Sequence, residues 1–162
     1  MTSMDAPEIL VLNGSNLNML GIRDPSLYGG ARLGDIERVM RGRATEKGFA
    51  LDFRQSNHEG VLVDWIHEAH GRAAAVIINP AAFTQTSLAI ADALGILKCP
   101  VIELHFANVH RDPAKANRHL SLVRPVATGF IAGFGPSGYL LALDAAALAI
   151  APVDFTRREA AE

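Results

Sequence analysis

Cysteine is almost absent: Cys99 is the only one in 162 residues. An internal disulfide is therefore excluded, and no thiolate cluster exists for a metal. Long hydrophobic runs are missing too, since none reaches the roughly 20 residues of a membrane-spanning helix. Residues 1–7 are short and polar and lack the basic and apolar regions of a secretory signal, so a cytoplasmic protein is expected. Neither sign of charge dominates. The formal net charge is -2, the pI is about 6.3, and no Lys/Arg cluster stands out, which makes nucleic acid a poor candidate partner. What is abundant is apolar. Hydrophobic residues make up 49% and charged residues 20%, which excludes a disordered chain. The length suits one domain over 1–162, with 1–7 and 154–162 as loose tails.

Apolar, β-rich runs alternate with helical patterns. Strands are expected at Glu8–Leu12, Leu51–Arg54, Ala75–Ile78, Val101–Leu104 and Gly129–Ala132. Val76–Ile78 and Val101–Ile102 are continuous rather than alternating, as in strands covered on both faces. Helices are expected at Leu33–Lys47, Glu59–His70, Ser87–Leu97 and Pro136–Ile150. Ser56 and Glu59 have capping-box spacing. A further short helix between His110 and Val123 would complete a regular strand–helix alternation. Such alternation predicts an α/β fold: a flavodoxin-like five-stranded parallel sheet of order 2-1-3-4-5, with helices on both faces. A site would then lie at the carboxyl ends of strands one, three and four, at Asn13, Asn79 and His105. The last helix is apolar nearly all round, with Asp144 the main exception, which suggests a subunit contact or deep burial.

The stretch after the first strand is equipped rather than plain. It stays irregular until about Leu33 and carries Asn16, Arg23 and Tyr28. A loop of that length is more often a lid or binding loop than filler. Arg23 lies five residues before Tyr28. A nearby guanidinium favours a phenolate, so Tyr28 is either a ring packed in the loop or a base. On a strand, Glu103 and His105 share one face. That pairing makes either a satisfied strand-end histidine or a general acid held by a carboxylate. No third ligand with convincing spacing completes a zinc site. Gly133–Gly138 imitates a phosphate loop but opens the last helix, not the first, which argues against a nucleotide.

Five blocks, taken together, resemble the type II 3-dehydroquinate dehydratases: LNGSNLNMLGIRDPSLYG, FRQSNHEGVLVDWIHEA, IINPAAFTQTSLAIADAL, PVIELHFANVH and PVATGFIAGFGPSGYLLALDA. The resemblance spans about Ile9 to Ala151. It implies a trans elimination of water from 3-dehydroquinate, through an enolate, with no metal or organic cofactor. By position, Tyr28 resembles the family's base, and Arg23 the arginine that holds the phenolate. Asn16 matches the asparagine that holds a water against the enolate. His105 matches the acid, oriented by Glu103. Asn79 and Gln85 fall at substrate-binding positions, and the amides of Phe106 and Ala107 at the carboxylate grip. Arg118 is the best match to an arginine that reaches the ring hydroxyls, although counting forward from His110 lands near Lys115 or Ala116. Asp92 matches an acidic residue presented across a subunit contact. The resemblance also implies a dodecamer, a tetramer of trimers.

Three positions depart from the family pattern. Gln85 stands where histidine is usual, Ala107 where serine is usual, and the spacing of residues 111–120 differs. Losing the serine hydroxyl removes a hydrogen bond worth about 0.5–1.5 kcal/mol. These departures leave two readings: an active dehydratase with altered binding, or a non-catalytic paralogue that binds a related cyclic polyol carboxylate.

Overall fold

Five strands pair in parallel in the order β2-β1-β3-β4-β5, as the alternation predicts. They are β1 (Glu8–Asn13), β2 (Ala50–Gln55), β3 (Ala75–Asn79), β4 (Val101–His105) and β5 (Gly129–Ala132). The computed structural model describes residues 6–22 and 30–156. The expected helices are present as α1 (Leu33–Glu46), α2 (Glu59–Ala69), α3 (Leu88–Ile96) and α4 (Ser137–Ile150). A 3-10 helix, Pro113–Arg118, fills the segment between His110 and Val123.

Side chains of the central strands alternate between two cores. Ile9, Val11, Ile77 and Leu104 point to the face covered by α1 and α4. Leu10, Leu12, Val76 and Ile78 point to the face covered by α2 and α3, where Leu62, Ile66, Ile90 and Leu94 meet them. Burial on both faces is what a parallel sheet requires of its central strands.

Four strands run one residue further than their apolar runs suggest. Gln55, Asn13 and Asn79 stay in register across β2, β1 and β3. His105 pairs with Ala132 across β4 and β5. Polar residues at the carboxyl edge thus remain strand, because the ladder holds their backbone while their side chains turn to one another. The irregular stretch after β1 also contains a turn the sequence did not signal, the 3-10 helix Leu17–Met19. Leu17 and Leu20 are buried and anchor it.

One local expectation is corrected. Ser56 does not form a capping box with Glu59. Its Oγ accepts a hydrogen bond from the His58 amide at 2.9 Å, and His58 occupies the N-cap of α2 without a side-chain bond. Two residues of separation let the hydroxyl close a local turn instead, a competing use of serine near helix starts. Helix α4 is buried along Tyr139, Ala142, Leu143 and Ala146, while Leu141 and Leu148 stay exposed. Asp144, its main charged residue, pairs with Lys47 of the α1 C-cap at 2.9 Å.

Candidate active site

The carboxyl edge of the sheet opens into a cleft of about 330 Å³. That volume suits a small polar ligand. Asn16, Asn79, Gln85, His105, Ala107 and Arg118 line it, together with Phe106 and Lys115. Seven of the residues proposed from sequence therefore meet in one place. Glu103 stands behind His105 and is fully buried. Asp92 lies exposed on α3 and is not among the lining residues. Arg23 and Tyr28 lie outside the described residues. Both Lys115 and Arg118 of the Pro113–Arg118 turn reach the cleft, so either choice of register keeps a cation there.

His105 and Glu103 project from the same face of β4, as strand geometry requires. His105 Nε2 lies 2.6 Å from Glu103 Oε1. A carboxylate buried without partners would take up a proton. Burial does push Glu103 upward, but the hydrogen bonds from His105 and Ser121, with the charges of His105 and Arg124, outweigh it. They hold the carboxyl below its usual range. Ionised Glu103 fixes the orientation of the imidazole ring. His105 also lines the cleft, so a buried carboxylate backs a histidine within reach of a ligand, the arrangement of a general acid.

The asparagines are held by long-range bonds. Tyr139 Oη donates to Asn13 Oδ1 at 2.6 Å, and Asn79 Nδ2 donates to Tyr139 Oη at 3.3 Å. Asn13 Nδ2 in turn donates to the Arg54 carbonyl. Desolvation raises the Tyr139 hydroxyl well above its ordinary range, so it stays a neutral donor. Asn79 Oδ1 accepts from the Ala81 amide, which holds the next turn against the cleft. Tyr139 was not foreseen; its only signal was a lone polar aromatic in the first turn of an apolar helix. Tyr139→Phe should cost about 1–3 kcal/mol, because two buried amides lose a partner at once. Urea unfolding checks this, and an unchanged midpoint with an unchanged slope would contradict it.

The first loop is braced in the same way. Asn16 takes a left-handed conformation, φ 67°, which asparagine tolerates better than most residues. Its amide donates to Asn57 Oδ1 at 2.9 Å, and Gln55 Nε2 reaches both Asn57 Oδ1 and the Gly14 carbonyl. The FRQSNHEG block thus serves as the support of the Asn16 loop. Gly14 is required by close approach: a Cβ there would lie 2.2 Å from the Pro80 carbonyl oxygen. The Gly133–Gly138 stretch is likewise structural, since the Gly133 and Gly135 amides donate to the carbonyls of His105 and Phe106. Gln85 Nε2 donates to the carbonyls of Arg118 and Leu120, which ties the 3-10 turn to the cleft wall. Among the described residues, no group of three or more His, Cys, Asp or Glu side chains could hold a metal ion.

The profile of the family described as Dehydroquinase class II matches residues 7–147. The chain belongs to that family. It is 53% identical over 137 residues to "3-dehydroquinate dehydratase 1" of Agrobacterium fabrum, covering 85% of this chain and 93% of the relative. It is 54% identical over 136 residues to "3-dehydroquinate dehydratase 2" of Pseudomonas aeruginosa, covering 84% and 90%. Among solved structures, the type II dehydroquinase of Butyrivibrio crossotus superposes with a TM-score of 0.83 at 38% identity, over 87% of this chain and 97% of that one. As in other dehydroquinases of this class, then, a flavodoxin-like sheet carries the cleft. No helix among the described residues is long and apolar enough to cross a membrane.

Proposed function

We propose that this dehydroquinase is a hydro-lyase that removes water from 3-dehydroquinate to give 3-dehydroshikimate, in the shikimate pathway or in quinate breakdown. One observation carries the mechanism: a histidine tied to a buried carboxylate at the floor of a small polar cleft. An elimination through an enolate needs a base, a stabilised oxyanion and an acid on the leaving side. Tyr28 is the base and takes the proton next to the ketone, with Arg23 favouring its phenolate. Asn16 holds a water against the enolate oxygen. His105 gives its proton to the departing hydroxyl, and Glu103 keeps the ring in place. Asn79, Gln85 and the amides of Phe106 and Ala107 bind the substrate, and Arg118 reaches the ring hydroxyls. No cofactor takes part.

A substrate deuterated stereospecifically next to the ketone tests this. Trans elimination releases the deuteron anti to the leaving hydroxyl and retains the other. Retention of the anti deuteron in the product would overturn the assigned geometry.

The assembly belongs to the same proposal. The exposed Leu141 and Leu148 of α4 support a subunit contact, and the exposed Asp92 on α3 is free to face a neighbouring cleft. A dodecamer, as a tetramer of trimers, satisfies both. Light scattering at micromolar concentration should give the mass of about twelve chains of 17.3 kDa; a monomer would contradict it. A cytoplasmic location fits the single free cysteine, Cys99.

A further inference from the structure

The acid pair has a third member that neither the sequence reading nor the family resemblance assigns. Arg124 opens the short turn Arg124–Val126 that leads into β5. Its Nε is buried and lies 3.5 Å from Glu103 Oε2, the oxygen on the far side from His105. The rest of the guanidinium is fixed from two other directions. It stacks on the Phe130 ring, 3.9 Å from the centroid. Its Nη1 lies 3.2 Å from His110 Nε2, which must be the unprotonated nitrogen to accept that bond. The His110 ring packs in turn on His119, with centroids 4.9 Å apart. The Arg124 amide donates to Ser121 Oγ, so backbone and side chain are both held.

We propose that Arg124 is a positioning residue for the acid, clamping the back of Glu103 so that its front oxygen stays on His105. This rests on the reading of His105 as the proton donor to the leaving hydroxyl. Among the described residues, the titratable and charged groups facing Glu103 are His105 from its own strand and Arg124 from the turn before β5, with the Ser121 hydroxyl beside them. With Arg124 in place, the carboxylate has a partner on each side and a single orientation. Without it, the rear oxygen loses its counter-charge in a fully buried position. The carboxyl then protonates more readily or rotates away, and either change weakens the hold on the imidazole. Arginine suits this role better than lysine in geometry, because a planar fork reaches the carboxylate, the histidine and the aromatic face together. In charge the two are equivalent.

The test compares the wild type with Arg124→Gln and Arg124→Lys across the full pH profile, where acid–base limbs are read. Arg124→Gln should lower kcat about tenfold with KM within about twofold, because the lost contact acts through the proton donor. The acid limb set by Glu103 should move to higher pH, since removing a cation makes its carboxyl easier to protonate. Arg124→Lys should restore the wild-type limb and most of kcat. A wild-type profile in Arg124→Gln would overturn the proposal. So would equal losses in both variants with the limb unmoved, which is what a merely structural role predicts. A second readout needs no turnover: the side-chain carboxyl-carbon NMR titration of Glu103 in glutamate-labelled protein, assigned with Glu103→Gln. Its midpoint should rise in Arg124→Gln and stay in Arg124→Lys, and an unmoved midpoint in Arg124→Gln would contradict the clamp. An inactive wild type would refute the dehydratase reading, whereas this titration decides the role of Arg124 by itself.

Discussion

His105→Asn should lower kcat for 3-dehydroquinate by about 10²–10⁴-fold, the range that general acid catalysis supplies. Asparagine is close in size and keeps a hydrogen-bond donor, so Glu103 is not left wholly unpartnered in its buried position. It has no proton to give. The departing hydroxyl would then have to leave as hydroxide or take a proton from water. In the proposed mechanism substrate binding is shared among Asn79, Gln85, Arg118 and the amides after β4, so KM should change little. Steady-state kinetics beside a thermal melt checks this. A loss under tenfold in a folded protein would remove His105 from the acid role, whatever its contact with Glu103.

Tyr28→Phe should be as severe, about 10²–10⁴-fold in kcat, because the change removes the hydroxyl of the proposed base and nothing else from the ring. A tyrosine has a reference pKa of about 10 and is a poor base at neutral pH without help. Arg23 on the same loop supplies that help in the proposed mechanism, and the Phe variant makes it irrelevant. Binding of the substrate, followed by calorimetry, should survive. That combination separates the base from a residue that only packs. An unchanged rate would sink the mechanism. Loss of binding together with rate would instead make Tyr28 part of the binding shell.

The fold was legible because it is carried by short-range pattern. Continuous runs such as Val76–Ile78 mark strands buried on both faces, and the observed cores sit on both sides of β3. The sheet order follows from alternation, which leaves few parallel topologies open. The errors lie where one residue type serves two purposes. The expected strands stop one residue short of Asn13, Gln55, Asn79 and His105 because these are polar, yet each continues the ladder. Ser56 read as a helix cap, yet it closes a turn with His58.

The site was legible in part for the same reason. Glu103 and His105 are two residues apart, and strand periodicity alone brings them to one face. Tyr139 and Asn13 are 126 residues apart, and no local spacing announces their bond. Arg124 is 21 residues from Glu103 and carries no motif; only the pairing of β4 with β5 brings its turn to the back of the acid. The three departures found in the sequence all fall on the rim rather than on the acid pair. Gln85 donates to the backbone of the turn that carries Arg118, and so supports the one segment whose spacing is unusual. That coupling gives the altered rim a structural rationale within an active enzyme.

The most direct measurement mixes the purified protein with 3-dehydroquinate and follows the ultraviolet absorbance of the conjugated enone product. Prompt, saturable turnover is the predicted result, and it would show that Gln85 and Ala107 are tolerated in the binding shell. No turnover at high substrate, from folded and assembled protein, would contradict the account and leave the cleft as a binding site for a related ring acid.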